Sequence, residues 1–127
     1  MEYGELGPVS NKSILVVEEY QPLLNTLLPI LAGFGYQILT ARSLNEALPL
    51  AQQRTVDAVL LDFRLCPSCP SDCFAEKVRI TSPNSKFLIW CTDDKCIVNQ
   101  PPCAAATFMK PMSPDELAVQ LDAVLGQ

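Results

Sequence analysis

The chain has 127 residues with a net charge of −5, and 49% of its residues are hydrophobic while 18% are charged. This length and apolar fraction fit a single domain with a substantial core, and the acidic balance excludes the basic surface stripe of a nucleic-acid-binding protein. The longest apolar runs are far shorter than the ~18–20 residues of a membrane span. The sequence therefore predicts a cytoplasmic protein that contacts neither nucleic acid nor a membrane.

Five short apolar runs predict five β-strands. The first run is rich in β-branched residues and does not alternate with polar ones, which is typical of a strand that helices cover on both faces. In chain order the runs are ILVV at 14–17, YQILT at 36–40, DAVLLD at 57–62, KFLIWC at 86–91 and AAATFM at 104–109.

Helical patterns separate these strands. Leucines at helical spacing follow the first strand, where Pro29 is expected to kink the helix and Gly33 and Gly35 are expected to end it. A short helix, FAEKVRI, is expected at 74–80, after the loop CPSCPSDC. Two capping boxes of the S-x-x-E type predict further helix starts, at Ser43 with Glu46 and at Ser113 with Glu116.

Strands that alternate with helices predict a parallel sheet with helices on both faces, a doubly wound α/β fold. Residues 1–11 are polar and acidic and are expected to form a flexible extension, so that the domain comprises residues 12–127. The segment between the fourth and fifth strands is short and proline-rich, so we expect the helix at this place to be reduced.

Charged residues gather at the carboxyl ends of the predicted strands, the edge at which such sheets bind ligands. Glu18 and Glu19 follow the first strand, Asp62 ends the third, and Lys110 follows the fifth. Carboxylates that are brought together need a cation between them, and oxygen ligands suit Mg²⁺. Because a lysine beside such a metal suits a bound anion, these residues predict a site that handles a phosphoryl group, with one carboxylate as the nucleophile.

Three stretches in this order, ILVVEE (14–19), DAVLLD (57–62) and FMKP (108–111), resemble the receiver domain of two-component response regulators. The resemblance covers about residues 12–125 and implies a flavodoxin-like (βα)5 fold with a five-stranded parallel sheet. It also implies that Asp62 accepts a phosphoryl group from a histidine kinase or phosphotransfer protein. A downstream effector protein or domain would then receive the signal. At most, such a domain catalyses its own phosphorylation and dephosphorylation.

The same resemblance assigns roles to the other residues of this edge. Lys110 falls on the lysine that pairs with the aspartyl phosphate. The expected ligands of Mg²⁺ are Glu18 and Glu19 on the family's acidic pair, Asp62, and the backbone carbonyl of Arg64.

The chain departs from the receiver pattern at several positions. The acidic pair is Glu-Glu where Asp is usual, which lengthens the side chain of Glu19. The position at which the family uses a hydroxyl to contact the phosphate is Cys91 or Thr92, depending on the register. The family's switch aromatic falls on Thr107, and Phe108, one residue later, would lie on the opposite face of its strand. These departures favour an alternative, a degenerate pseudo-receiver that acts as a protein-interaction module.

All six cysteines lie in or beside the loops after the third and fourth strands, which are neighbours in this fold: Cys66, Cys69, Cys73, Cys91, Cys96 and Cys103. Three interpretations stay open. The cluster would bind zinc or an iron–sulfur centre through four thiolates, or form a redox-active disulfide, or consist of free and mostly buried thiols. Either of the first two would add metal or redox sensing close to Asp62. The sequence also leaves open whether the chain forms a homodimer.

Overall fold

The computed structural model describes residues 12–62, 70–91, 104–109 and 113–125. Strands and helices follow in the order β1 (Ser13–Val17), α1 (Gln21–Gly33), β2 (Gln37–Ala41), α2 (Leu44–Gln53), β3 (Ala58–Asp62), α3 (Pro70–Thr81), β4 (Lys86–Cys91), β5 (Ala104–Met109) and α4 (Pro114–Leu125). No helix within these ranges is long and apolar enough to cross a membrane.

The five strands form one sheet in the order β2-β1-β3-β4-β5, and every pair of neighbours is parallel. This arrangement confirms the predicted doubly wound α/β fold with five strands. The expected extension at 1–11 and the expected reduced helix within 92–103 lie outside the described residues. The strand order changes direction between β1 and β3, so the carboxyl ends of these two strands form the crevice in which such sheets bind ligands.

Alternate residues of the central strands enter two separate apolar cores. Each of the following side chains is at most 2% exposed. The α1/α4 core, between the sheet and helices α1 and α4, takes Ile14, Val16, Ala58, Leu60, Leu88 and Trp90. The α2/α3 core, on the other face, takes Leu15, Val17, Val59, Leu61, Phe87 and Ile89. Burial on both faces explains why these strands read as continuous apolar runs in the sequence.

Prolines lie both at the start and in the interior of helices. α3 begins at Pro70 rather than at Phe74, so the helix includes Cys73, which the sequence prediction wrongly placed in the loop. Proline suits the start of a helix because its fixed φ is helical and its missing N–H has no partner to lose there. α1, in turn, continues through Pro29 from residue 21 to residue 33.

The end of α1 is a Schellman motif. Gly35 has a φ of 92°, a left-handed conformation that glycine adopts without a steric penalty. Its N–H donates to the carbonyl of Ala32 at 2.9 Å, and the Tyr36 N–H donates to the carbonyl of Leu31 at 3.4 Å. Tyr36 and Leu31 both lie in the α1/α4 core, so the motif returns the chain to the sheet. The predicted helix end at Gly33 and Gly35 is confirmed.

The serine N-cap of each predicted capping box forms. The Ser43 hydroxyl accepts the Glu46 N–H at 3.1 Å, and the Glu46 carboxylate accepts the Arg42 N–H at 2.9 Å. The Ser113 hydroxyl accepts the Glu116 N–H at 3.1 Å at the start of α4. Each box satisfies backbone donors that the first turn of a helix leaves without a partner.

Two lysines, one just before β1 and one at the start of β4, hold the carboxyl-terminal end of α4. We call this pair the lysine cap. The Lys86 ammonium, at the start of β4, donates to the Val124 carbonyl at 2.9 Å. The Lys12 ammonium, just before β1, donates to the Leu125 carbonyl. Cations favour this end of a helix because its last carbonyls lack intrahelical partners and carry the negative end of the helix dipole.

A buried tyrosine also joins α4 to the sheet. The Tyr36 hydroxyl donates to Oδ1 of Asp122 at 2.6 Å. Burial of the ring, the hydrogen bond to Asp122 and the charge of that carboxylate together raise the pKa of Tyr36 above its usual 10.0. The neutral phenol is therefore the form that the fold stabilises.

Candidate functional site

Glu18 and Asp62 lie side by side at the carboxyl edge of the sheet. Val17 of β1 pairs with Leu61 of β3, and each acid is the next residue along the chain. Neighbouring strands lie about 4.8 Å apart. The register therefore brings the backbones of Glu18 and Asp62 together at the point where the strand order changes direction.

Both acids are buried. The side chains of Glu18 and Asp62 are each 1% exposed, and they are the two charged residues among the buried residues of the described ranges. An ionised carboxylate in the interior costs several kcal/mol unless hydrogen bonds or a counter-charge compensate it. Two such groups at adjacent strand ends, at the switch point of the sheet, make this edge the candidate site.

Glu18 is tied to the structure through its backbone and its side chain. Its N–H donates to the Ala41 carbonyl of β2 at 3.0 Å, and its Oε2 accepts the Tyr20 N–H at 3.1 Å. Tyr20 is the N-cap residue of α1. The Glu18 carboxylate thus lies at the amino-terminal end of a helix, where the helix dipole stabilises a negative charge.

Glu19 is exposed and lies in the loop that follows. Its backbone carbonyl accepts a hydrogen bond from Nη2 of Arg42 at 3.2 Å. Arg42 is the first residue after β2 and was not among the predicted strand-end residues. The signal was present, because Arg42 follows a predicted strand in the same way as Glu18 follows β1.

The register of β4 places Cys91 near the site. Asp62 pairs with Trp90, so Cys91, the last residue of β4, comes one residue beyond Asp62 on the neighbouring strand. The alternative hydroxyl position, Thr92, falls outside the described residues. Both assignments therefore stay predictions.

Phe108 packs into the core and not toward the position of a switch aromatic. It pairs with Trp90 and is 7% exposed in the α1/α4 core. Thr107 pairs with Ile89, a member of the α2/α3 core. The expected opposition of residues 107 and 108 across β5 agrees with this register.

Several predicted site residues lie outside the described part of the chain: Arg64, Cys66, Cys69, Thr92, Cys96, Cys103 and Lys110. Within the described ranges, no three His, Cys, Asp or Glu side chains form a group that could hold a metal. The described residues thus bring Glu18 and Asp62 together and place Glu19 in the adjoining loop. The thiol cluster and the lysine stay predictions.

No protein-family model matches the chain. The Alginate biosynthesis transcriptional regulatory protein AlgB of Pseudomonas putida is 32% identical over 107 residues. The match covers 82% of this chain and 24% of that protein, so the chain spans about a quarter of the length of this curated relative.

Solved structures share the fold over nearly the whole chain. The non-phosphorylated HemR receiver domain from Leptospira biflexa is 26% identical with a TM-score of 0.75, over 92% of this chain and 96% of that one. A structure described as a novel family of redox sensors in the streptococci, evolved from two-component response regulators, is 26% identical with a TM-score of 0.76, over 91% of this chain and 52% of that one. The receiver domain of sensor histidine kinase PA1611 from Pseudomonas aeruginosa, with magnesium coordinated in its active-site cleft, is 19% identical with a TM-score of 0.73, over 93% of this chain and 100% of that one.

Proposed function

The chain belongs to the receiver domains of response regulators, and from this premise we propose that it accepts a phosphoryl group on Asp62. The donor would be the phosphohistidine of a histidine kinase or phosphotransfer protein. The observation that carries the proposal is the buried carboxylate of Asp62 at the switch point of the sheet, beside the buried Glu18 of the neighbouring strand.

In the proposed reaction, a carboxylate oxygen of Asp62 attacks the phosphorus atom. The bond from phosphorus to the imidazole nitrogen of the donor breaks, and an acyl phosphate forms on Asp62. The domain contributes by placing this nucleophile and by stabilising the charge of the phosphoryl oxygens. Lys110 would pair with the phosphoryl group.

The acids of this edge fit a magnesium ion. Glu18 and Asp62 offer carboxylate oxygens, which Mg²⁺ prefers, at the ends of two neighbouring strands. We propose that these two residues bind the ion together with Glu19 and the backbone carbonyl of Arg64. When bound, the ion supplies charge neutralisation for the transferred phosphoryl group.

The signal would pass to a downstream effector protein or domain. The curated relative is named as a transcriptional regulatory protein, and the match to this chain covers only 24% of its length. We therefore propose a receiver, in the cytoplasm, that controls an effector unit.

Labelling with a small phosphodonor tests the proposal. Incubation with acetyl phosphate and Mg²⁺ should add an acid-stable, alkali-labile phosphoryl group, and phosphate-affinity electrophoresis would detect it. The Asp62→Asn variant should show no labelling because the amide is a poor nucleophile. The matched control is Asp115→Asn, which changes an exposed acid in the first turn of α4 and should label like the wild type. Equal labelling of the wild type and Asp62→Asn would contradict the proposal.

A second candidate is a pseudo-receiver with thiol-based sensing. It is favoured by the 26% identity to the redox-sensor structure, by the glutamate pair and by the core position of Phe108. The same assay separates the two candidates. A pseudo-receiver would show no labelling on Asp62, whereas a receiver gated by its cysteines would label at a rate that dithiothreitol, or a metal chelator added with Mg²⁺ kept in excess over it, changes.

A further inference from the structure

We infer that Arg42 is a positioning residue for the acids of the magnesium site, an inference that rests on the proposed function. Its guanidinium Nη2 donates to the backbone carbonyl of Glu19 at 3.2 Å. The bond goes to the carbonyl and not to the carboxylate. Arg42 therefore fixes the loop that carries Glu19 without using the oxygens that would bind the ion.

Arg42 is itself anchored to the start of α2. Its backbone N–H donates to Oε1 of Glu46 at 2.9 Å, and the Glu46 N–H donates to the Ser43 hydroxyl at 3.1 Å. A capping box of this kind fixes both the backbone and the side chains of the first helical turn. A continuous series of hydrogen bonds thus connects the start of α2, through Arg42, to the loop between β1 and α1.

The carboxyl end of β2 contacts Glu18 and Glu19 in different ways. Ala41 accepts the Glu18 N–H at 3.0 Å through its carbonyl, a bond that any side chain at position 41 would permit. The neighbouring bond, from Arg42 to Glu19, needs a long side chain with a donor at its tip. Glu18 is therefore held by its backbone, by its carboxylate contact with Tyr20 and by burial, whereas the exposed Glu19 is joined to the end of β2 through the side chain of Arg42.

This dependence matters because Mg²⁺ requires nearly octahedral geometry. The longer side chain of Glu19, compared with aspartate, has one more rotatable bond to fix when the ion binds. A loop of fixed position lowers the entropic cost of binding. Arg42 thereby offsets part of the cost of having glutamate at this position.

The loop contact of Arg42 and its positive charge predict opposite effects on Mg²⁺ affinity when Arg42 is replaced. Removal of a positive charge near a cation site, taken alone, would tighten Mg²⁺ binding. Loss of the loop contact would weaken it. A hydrogen bond of about 1 kcal/mol corresponds to roughly a fivefold change in Kd, which exceeds the effect of one exposed and screened charge.

The test compares Arg42→Met with Arg54→Met in Mg²⁺ titrations. Arg54 is exposed at the other end of α2, so its change removes the same charge without the loop contact. The fluorescence of Trp90, the single tryptophan, reports on binding because Trp90 pairs with Asp62. Mn²⁺ electron paramagnetic resonance gives a second readout. We expect the Kd of Arg42→Met to rise about three- to tenfold and that of Arg54→Met to stay within about twofold of the wild type.

Urea unfolding without metal gives the stability of each variant, which separates the loss of metal affinity from a general loss of structure. A Kd for Arg42→Met that is equal to or lower than that of the wild type would overturn this inference and leave the proposed function intact. A wild-type protein that binds neither Mg²⁺ nor Mn²⁺ would overturn the proposed magnesium site, and this inference with it.

Discussion

Glu18 combines a structural contact with a proposed role in metal binding. Its Oε2 accepts the Tyr20 N–H at the start of α1, while the proposed function requires the same carboxylate to bind Mg²⁺. The two are compatible because an ionised carboxylate has two oxygens and about four acceptor positions. The sequence identifies Glu18 as a strand-end acid, but its hydrogen-bond partner depends on backbone angles that the sequence pattern does not determine.

Tyr36 provides a prediction about pH. Because the pKa of Tyr36 is raised in the folded protein, the unfolded chain loses this proton first, near its usual pKa of 10.0. The stabilisation from the Tyr36–Asp122 bond is therefore fully present below about pH 10 and is lost as pH rises toward the folded pKa. Tyr36→Phe should cost about 1 kcal/mol at pH 8.

The measurement is urea unfolding of the wild type and Tyr36→Phe between about pH 8 and pH 11. The stability difference should shrink above about pH 10. The chain's other two tyrosines are present in both proteins, so their titration cancels from the comparison. A difference that stays constant across this range would contradict the expected proton linkage.

The helix ends differ in the sequence separation between the residues that form their hydrogen bonds. The hydrogen bonds at the start of α2 join residues within four positions of each other, from Arg42 to Glu46, so a local sequence pattern predicts them. The end of α4 depends on the lysine cap, whose members Lys12 and Lys86 are 113 and 38 residues from the carbonyls they bind. No local sequence pattern could have predicted that contact.

Lys86→Met tests the lysine cap. Methionine keeps the unbranched apolar stem and removes the ammonium, so α4 should lose a favourable contact at the negative end of its dipole. We expect a loss of about 0.5–1 kcal/mol in the free energy of unfolding, partly reduced by high salt. Urea unfolding measures it, with Lys77→Met as the control for an exposed lysine on α3. Equal stability of the two variants would contradict the role of the cap.

At the scale of the whole molecule, the order and type of the described elements follow from the sequence. Runs such as Ile14–Val17 are apolar at every position because helices cover both faces of the sheet. The parallel order then places Glu18 and Asp62 at one edge, so the proposed phosphoacceptor is also predictable. Arg42 is predictable as a residue at a strand end, but its contact with Glu19 is not, because that contact is made between two loops and depends on the direction of one long side chain.

The contact between Lys12 and Leu125 brings the two ends of the described domain next to each other. A linker of about four residues spans such a gap, since each extended residue covers about 3.3–3.6 Å. We therefore expect a circular permutant to fold when residue 125 is joined to residue 12 and the chain is opened between Arg54 and Thr55, which are exposed and lie outside the helices and strands. A cooperative urea transition would support this, and a molten or aggregated product would contradict it. By the same geometry, the domain is suited to insertion into a surface loop of a host protein.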